Sequence, residues 1–383
     1  MLALVVVLYF WLRVAVKDTG VQAYLEAKAG LHIGSDVGGS PSGQQSKSIS
    51  RRVVAVADLH GDLGHAHNVL QMTKLIDSDF HWIGGHDVLV STGDIVDRGD
   101  DTIALYRMFD RLRTEAAATG GEVLNCLGNH EIMNSLGDWR YVTRGDVDSF
   151  GGVQQRRKAM SSDGWIGQSW LANFNITHTV PLLPLHLVPS SANNRGAAGG
   201  RVAAYTVPRA SFVHGGITPA YARRGAAAIN RIGHSLLQRA LAEEIPNGQP
   251  PHDTPTEELE LYGSEGPLWY RGYANQEDEA QICAEAERAA SALGVRHLVM
   301  GHTPHLEGFV VRCEGKVLLI DTGISKAYGG EQSALVLETE LKYLSEGHDG
   351  VSNKWKETQT LTALYKGRRP KVIHTVSREV YLY

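Results

Sequence analysis

Short apolar segments, rich in β-branched and aliphatic residues, recur along the chain, and each runs into a polar cluster. They have the length of strands that are buried inside a sheet. The segments cover residues 53–56, 88–91, 123–126, 210–213 and 297–300. This pattern predicts five buried strands with polar side chains at their carboxyl ends.

Segments of helical periodicity separate the first three of these strands. Residues 66–75 and 102–118 show this spacing, and residues 274–293 suit an amphipathic helix that leads into the strand at 297–300. The resulting β-α-β-α-β order predicts an α/β fold with parallel strands and helices packed on them.

The periodicity weakens beyond about Glu338. Short strands are expected at residues 361–365, 372–375 and 379–383. Residues 341–383 are therefore treated as a C-terminal extension of uncertain structure.

The N-terminal part of the chain differs from the rest. Residues 1–12 form an uninterrupted apolar run, which Arg13 breaks. This length suits the hydrophobic region of a secretory signal better than a full membrane span. Residues 1–17 are therefore expected to be a signal or anchor segment that places the protein at a membrane or in the secretory pathway. The alternatives are a buried N-terminal helix, or a chain start within a longer anchor.

A stretch rich in Gly and Ser follows, and it divides the N-terminal segment from the globular part. Residues 34–50 have no apolar period, which is typical of a flexible tether. The expected organisation is therefore a tether over residues 18–50 and a globular domain over residues 51–340.

Composition narrows the possible functions. With 383 residues, 43% of them hydrophobic, the chain can bury a full-sized core. The formal net charge of −5 provides no global positive field for nucleic acid, so no nucleic-acid partner is expected and an anionic substrate must be met locally. Cys126, Cys283 and Cys313 are too few and too scattered for a disulfide framework, and buried thiols are expected.

The polar clusters at the strand ends carry residue types that bind metal ions. In an open parallel sheet, the loops at the carboxyl ends of the strands face one crevice, so these residues can converge there. The intervals between the first three clusters are nearly equal, as repeating strand and helix units require. The clusters contain Asp58, His60 and Asp62; Asp94, Asp97 and Arg98; Asn129, His130 and Glu131; His214; and His302.

Carboxylate, imidazole and amide ligands suit divalent manganese, iron or zinc, and the absence of cysteine disfavours a structural zinc site. The ligands are more numerous than one ion requires. Two ions that share a carboxylate can ionise a common water and polarise a phosphoryl group. Asp94, in the second cluster, is the expected bridging ligand.

The same clusters contain groups for acid catalysis and for phosphate binding. His130 follows Asn129 directly and can donate a proton to the leaving group, with Asp97 fixing its tautomer. Arg98 presents the planar fork that fits a phosphate. A further basic stretch, from Arg140 to Lys158, is read either as a guide for an anionic substrate or as a solvated helical face.

These motifs resemble those of the phosphoprotein phosphatase branch of the calcineurin-like metallophosphoesterases, namely GDxHG, GDxVDRG, GNHE, HGG and GHT. The resemblance spans about residues 53–328. It implies a β-sandwich flanked by helices with a dinuclear metal site at the strand ends. By position, it implies that Asp58 and His60 bind the first metal, that Asp94 bridges, and that Asn129, His214 and His302 bind the second.

Within this branch the chain is similar to the bacterial-like, Shewanella-like phosphatases and their fungal relatives. The similarity rests on residues 128–134, 140–142, 266–271, 321–325 and 328–330. It implies that His130 with Asp97 is the proton donor, and that Arg98, Arg271 and Asn129 contact the phosphate.

The chain departs from the family pattern at two places. Ala57 replaces the first glycine of GDxHG, and residues 321–330 stand where eukaryotic serine/threonine phosphatases carry a SAPNY-like segment. Inhibitor sensitivity and substrate preference therefore cannot be transferred from those enzymes.

The expected function is hydrolysis of phosphomonoesters on phosphoproteins by a hydroxide that bridges the two metal ions. The alternative is hydrolysis of polyphosphate or of a dinucleoside polyphosphate at the same site. A non-catalytic, membrane-tethered binding module is a third possibility, and the intact ligand set argues against it.

Overall fold

Two β-sheets pack face to face, and helices cover their outer surfaces. The computed structural model describes residues 47–189, 205–243, 247–347 and 352–382. One sheet has seven strands and the other has five. The predicted α/β sandwich flanked by helices is therefore confirmed.

The seven-stranded sheet combines a parallel half with an antiparallel half. Its strand order is β12-β11-β10-β1-β2-β3-β4, in which β1 to β4 run parallel and β10 to β12 run antiparallel to their neighbours. The strands are β1 (Ser48–Val56), β2 (Val88–Ser91), β3 (Glu122–Cys126), β4 (Phe174–Asn175), β10 (Ser333–Glu346), β11 (Asn353–Tyr365) and β12 (Lys371–Leu382).

The five-stranded sheet has the order β5-β6-β7-β9-β8, with β6, β7 and β9 parallel. Its strands are β5 (Thr177–Pro181), β6 (Arg209–Val213), β7 (His297–Met300), β8 (Val310–Arg312) and β9 (Val317–Leu319). The five strands predicted from the apolar segments are all present, in β1, β2, β3, β6 and β7.

Helices connect the parallel strands and close the outer faces. They are α1 (Leu63–Met72), α2 (Thr102–Ala118), α3 (Asn129–Ser135), α4 (Arg144–Ser149), α5 (Val153–Ala159), α6 (Trp165–Asn173), α7 (Pro219–Arg224), α8 (Ala226–Ala242), α9 (Thr256–Tyr262), α10 (Gly272–Asn275) and α11 (Glu279–Leu293). The predicted β-α-β-α-β order corresponds to β1-α1-β2-α2-β3, and the predicted helix before β7 is α11.

Alternate residues of β1 enter two different cores. Val53 and Ala55 pack between the two sheets, whereas Val54 and Val56 pack against the helical layer. This alternation follows from the two-residue period of a strand, which directs successive side chains to opposite faces. A strand buried on both faces must be apolar throughout, which is why its sequence signal is strong.

The C-terminal part of the chain continues the seven-stranded sheet. The strand expected at residues 361–365 is the end of the longer β11, and those expected at 372–375 and 379–383 form the single strand β12. β10 was not predicted from the sequence. In β10 the second half alternates buried and exposed positions, so its sequence carries Glu and Lys between apolar residues. The apolar pattern is therefore weak, although the pairing with β1 is continuous.

The predicted domain boundaries stay predictions. Residues 1–46, which contain the expected anchor and most of the tether, lie outside the described residues. Among the helices in the described ranges, none has the length and apolar character needed to cross a bilayer.

A disulfide joins α11 to the turn between β8 and β9. It links Cys283 and Cys313, which are 30 positions apart, while Cys126 is free and buried. Burial raises the pKa of the Cys126 thiol. The expectation of buried thiols was therefore right for Cys126 and wrong for the other two, because folding brings α11 beside a turn that is distant in sequence.

We expect replacement of both linked cysteines by serine to destabilise the oxidised protein, because the cross-link restricts the unfolded chain. For a closed loop of this length the loss is about 3.6 kcal/mol. Urea unfolding of Cys283→Ser/Cys313→Ser and of the wild type, each with and without dithiothreitol, measures it. The wild type should lose stability in the reductant and the double variant should not. Identical midpoints for all four samples would contradict a stabilising cross-link.

Candidate metal centre and active site

Five loops at the carboxyl ends of parallel strands meet at one edge of the sandwich. Their ligand-type residues are buried, with at most 5% of each exposed to solvent. Strands from both sheets contribute, so the site spans the end of the sandwich. The residues are Asp58 and His60 after β1, Asp94 after β2, Asn129 after β3, His214 after β6 and His302 after β7.

Asp94 lies at the centre of this cluster. Its Oδ2 is 3.2 Å from Nε2 of His214 and 3.7 Å from Nε2 of both His60 and His130. Its Oδ1 accepts a hydrogen bond of 3.0 Å from the backbone N–H of His130. A Cβ at Gly128 would collide with the Asp94 carboxylate, so this close approach requires glycine.

Asp58, Asn129 and His302 complete the cluster on its other side. The Asp58 carboxylate accepts the backbone N–H of His302 at 3.1 and 3.2 Å, and it lies 4.0 Å from Nδ1 of His214. Asn129 Oδ1 is 2.8 Å from Nε2 of His214. The six residues predicted as metal ligands are therefore brought together in one pocket.

The histidines are held in the orientation that metal binding requires. Nδ1 of His60 lies 3.0 Å from the carbonyl oxygen of Val96, and Nδ1 of His214 lies 3.0 Å from that of Thr92. Such backbone contacts fix the tautomer and leave Nε2 to bind a metal ion. Nε2 of His302 is buried and has no hydrogen-bond partner among the residues that the structure describes, and a cation would satisfy it.

Two groups of side chains can each hold one ion. His60, Asp94 and His130 have ligand atoms within 4.8 Å of one another, and so do Asp94, His214 and His302. Asp94 belongs to both groups. The donor set of imidazole nitrogens and carboxylate oxygens suits divalent transition metals. The residues present therefore fit two divalent ions that share one carboxylate.

Burial and neighbouring charges set the protonation of the histidines. Burial lowers the pKa of His60 to about 4 and that of His302 to about 2, so both are neutral near pH 7. Burial also acts to lower the pKa of His214, but Asp94 and Asp58 raise it to about 9. A bound cation would replace that proton as the partner of both carboxylates.

The pocket also contains Asp321, a carboxyl group for which the motif match assigned no role. It is buried beside Asp58, and burial raises its pKa to about 6. Burial and the charge of Asp321 together raise the pKa of Asp58 well above its ordinary value. Two adjacent buried carboxyl groups repel each other when both are ionised, and a divalent cation relieves that repulsion.

His130 and Asp97 form a buried pair beside Asp94. Nδ1 of His130 is 2.6 Å from Oδ2 of Asp97, and Asp97 is fully buried. Burial acts to lower the pKa of His130, but the carboxylates of Asp94 and Asp97 outweigh it and raise that pKa. The pairing predicted from the sequence is therefore present in the geometry.

A series of buried hydrogen bonds, which the sequence did not reveal, holds the Asp97 carboxylate in place. Nδ2 of Asn134 donates a hydrogen bond of 2.9 Å to Oδ1 of Asp97. Oδ1 of Asn134 accepts a hydrogen bond of 2.8 Å from Nη1 of Arg156. Arg156 is fully buried and also donates to Asp146 at 2.8 Å. The reading of this basic stretch as a solvated face was therefore wrong for Arg156, although the neighbouring Lys158 is exposed.

Glu131 ties two ligand-bearing loops together. Its carboxylate accepts backbone hydrogen bonds from Asp94 and Ile95, both at 2.9 Å, and from Gly128 at 2.7 Å. The hydroxyl of Tyr106 adds a fourth at 3.0 Å. The sequence analysis gave Glu131 of the GNHE motif no role. In the structure, its hydrogen bonds hold together the loop after β2 and the loop after β3.

Several residues of this pocket adopt left-handed backbone conformations, which cost free energy in residues other than glycine. Of the nine non-glycine residues with positive φ in the described ranges, five belong to this site. They are His60, Asp94, Asp97, Arg98 and His302. Such clustering at one place is typical of a functional site that the surrounding contacts hold in shape.

Two guanidinium groups flank the pocket on different sides. Arg98 lies between two aromatic rings, 4.3 Å from the centre of Tyr141 and 4.9 Å from that of Tyr328. Arg271 is on the His302 side, where its Nη1 donates at 2.9 Å to the carbonyl oxygen of His302 and at 2.9 Å to Oγ1 of Thr303. Both predicted phosphate-binding arginines therefore reach the rim.

Carboxylates and imidazoles gathered at the strand ends of a helix-flanked sandwich define a metal-dependent phosphoesterase. Residues 51–306 match the family of calcineurin-like phosphoesterases, and the chain belongs to that family. It is therefore a hydrolase with phosphatase activity. Members of this family use a dinuclear divalent metal site, and the His and Asp groups described above suit such ions.

Characterised and uncharacterised relatives support this assignment. An uncharacterized protein of Schizosaccharomyces pombe is 38% identical over 289 residues, which cover 74% of this chain and 76% of that relative. The Shewanella-like protein phosphatase 2 of Arabidopsis thaliana is 29% identical over 307 residues, covering 72% of each chain. The predicted similarity to Shewanella-like phosphatases and a fungal relative is confirmed.

A solved structure has the same fold. The cold-active protein-tyrosine phosphatase of a psychrophilic Shewanella species superimposes with a TM-score of 0.60. It is 23% identical, and the match covers 85% of this chain and 80% of that structure. At this identity the comparison concerns the fold alone.

We expect Arg156→Met to destabilise the protein strongly, because it leaves the buried Asp146 carboxylate without its ion-pair partner and the buried Asn134 amide oxygen without its donor. Removing one member of a buried ion pair costs about 3–5 kcal/mol. Thermal and urea unfolding measure the change. Lys158→Met, an exposed position on the same helix, serves as the control and should change the unfolding free energy little. Equal effects of the two substitutions would contradict this account.

Proposed function

We propose that this chain hydrolyses phosphomonoesters on phosphorylated proteins with two divalent ions. The observation that carries the proposal is the position of Asp94, whose carboxylate belongs to both ligand groups. His60 would hold the first ion with Asp94 and with Asp58, the ligand that the family pattern implies, whereas His130 of that group would act as an acid. Asn129, His214 and His302 would hold the second, also with Asp94. When bound, the ions supply positive charge to the phosphoryl oxygens and make a water-derived nucleophile available near neutral pH.

His130 would act as the general acid. Asp97 accepts from Nδ1 and so leaves the proton on Nε2 free for the leaving-group oxygen. The buried Asp97 carboxylate favours the charged imidazole, and Asn134 holds that carboxylate in place. Since Nε2 of His130 is also 3.7 Å from Asp94, it faces the centre of the pocket.

Arg98 and Arg271 would bind the phosphate oxygens. The rings of Tyr141 and Tyr328 restrict the Arg98 guanidinium, and the carbonyl oxygen of His302 anchors one end of Arg271. Each arginine keeps N–H groups that make no hydrogen bond within the described residues. Planar guanidinium groups on two sides of a phosphate match its oxygens and counter the charge that spreads over them during transfer. The Asn129 amide would contact both ion and phosphate.

We expect Asp94→Asn to abolish phosphate release from a phosphopeptide and to lower the bound metal content, because a neutral amide cannot bridge two cations. The loss of kcat/KM should be about 10³-fold or greater. Phosphate release is followed after incubation with manganese, iron or zinc, and bound metal is measured by mass spectrometry. Asp79→Asn, which alters an exposed carboxylate in the loop between α1 and β2, is the matched control. Retention of two ions and full activity in Asp94→Asn would refute the proposed centre.

The variant His130→Asn distinguishes two possible roles of His130, general acid and metal ligand. If His130 protonates the leaving group, the variant should keep its metal content and lose kcat by about 10²–10⁴-fold on phosphoserine peptides. The loss should be smaller on p-nitrophenyl phosphate, because that leaving group departs without a proton. Asp97→Asn should show the same dependence on the leaving group. Equal losses on both substrates, accompanied by loss of metal, would assign His130 to the metal instead.

A further inference from the structure

A cavity of about 820 Å³ opens beside the metal centre, and no step of the proposed hydrolysis uses it. Its walls come from the end of α9, the loop that follows it, α10 and one residue of α11. Aromatic rings, one guanidinium and two carboxylates line it, including Trp269, Tyr270, Arg271, Glu265 and Glu285. A space of this size exceeds what a phosphate group requires and is comparable to pockets that take several side chains or a small ligand.

The cavity shares a wall with the proposed catalytic pocket. The Trp269 ring packs edge-on against the ring of His302, with centres 5.6 Å apart. Arg271, which also lines the cavity, donates to the carbonyl oxygen of His302. A phosphate bound at the metal centre through Arg271 would therefore have the rest of its substrate at the mouth of this cavity.

The charge of the cavity differs from that of the metal-binding pocket. Among the described residues that line it, Arg271 is the single basic one, whereas Glu265 and Glu285 are acidic. Glu285 is oriented by Tyr270, whose hydroxyl lies 3.4 Å from Oε2, and by Gln281, whose Nε2 lies 3.1 Å from Oε1.

Both carboxylates lie close to Tyr270, and that of Glu265 is exposed while Glu285 is half-buried. Burial, and then the charges of Glu285 and Glu265, raise the pKa of Tyr270 to about 12. The Glu265 carboxylate is exposed and makes no hydrogen bond or ion pair within the described part of the chain. With Arg271 engaged by phosphate, the remaining charge of the lining is negative.

We propose that this cavity binds a basic side chain of a polypeptide substrate, a lysine or arginine near the phosphorylated residue, between the aromatic rings and the carboxylates of Glu265 and Glu285. This inference rests on the proposed phosphatase function and narrows its substrate class. Aromatic faces attract a cation, and the carboxylates neutralise it. The same carboxylates would repel the flanking phosphates of a polyphosphate chain, so the cavity favours a phosphopeptide over a phosphoanhydride.

The test compares matched phosphopeptides that differ only in the residues flanking phosphoserine: lysine or arginine in one set and glutamate in the other. The wild type should show a kcat/KM about fivefold or more higher for the basic set, and the difference should shrink in high salt. Glu265→Gln and Glu285→Gln should each reduce the ratio of the two kcat/KM values, and Glu265→Lys should reverse it.

Glu277→Gln is the matched control, since it removes an exposed carboxylate nearby that does not line the cavity. It should keep the wild-type ratio. Glu265 is exposed, so its substitution does not disturb the core, and a ratio of two substrates is insensitive to the fraction of folded enzyme.

The possible outcomes distinguish a failure of the cavity assignment from a failure of the phosphatase proposal on which it rests. Equal kcat/KM for basic and acidic peptides in an active wild type would overturn the cavity assignment and leave the phosphatase proposal intact. Faster shortening of inorganic polyphosphate than of any peptide would also overturn it. Absence of hydrolysis of both p-nitrophenyl phosphate and every peptide, in protein loaded with metal, would overturn the phosphatase proposal itself.

Discussion

The contacts between the buried Asp94 carboxylate and the imidazoles around it are the interactions on which the whole cluster depends. His60, His130 and His214 all approach the same oxygen of this group, and Asp94 has no exposure that would let water substitute for them. Burial alone would raise the pKa of Asp94, but the surrounding imidazoles hold it well below its ordinary value. The carboxylate therefore remains charged in a place where charge is costly, and such a group is stable only with cationic partners. The geometry around it is accordingly that of a site built to hold cations.

The convergence of the ligands could be predicted because it follows from topology. Loops at the carboxyl ends of parallel strands share one edge, so Asp58, Asp94 and Asn129 must meet if their strands are parallel. The role of Arg156 could not be predicted in this way, because helical spacing does not distinguish a buried guanidinium from a solvated one. Its burial depends on Asp146 and Asn134, which are brought to it by the packing of three short helices. The disulfide escaped prediction for the same reason, since it too depends on a long-range contact.

The C-terminal strands contribute to the site although they carry none of the proposed ligands. β10 pairs antiparallel with β1 along its length, with Leu335 opposite Ala55 and Leu337 opposite Val53. β1 leads directly to Asp58 and His60, so the antiparallel half of the sheet fixes the strand that delivers both. The sequence signal of this half is weak because half-exposed strands alternate polar and apolar residues, and a short window of that pattern resembles a loop. A part of the chain that looked peripheral thus bears on the position of the proposed ligands.

In the proposed mechanism, the two arginines at the rim would have different tasks, one in the reaction and one in substrate selection. Arg98 lies between the rings of Tyr141 and Tyr328, and the Tyr141 ring also contacts that of His130. Arg271 belongs both to the rim and to the neighbouring cavity, and its anchor is the backbone of His302. The carboxylates of that cavity come from a loop and from α11, neither of which supplies a proposed ligand. Substrate preference could therefore change by substitution at Glu265 or Glu285 without disturbing the cluster around Asp94, whereas a change at Arg271 would alter both. On this proposal, substrate selection and the metal chemistry would lie on separate elements of one fold.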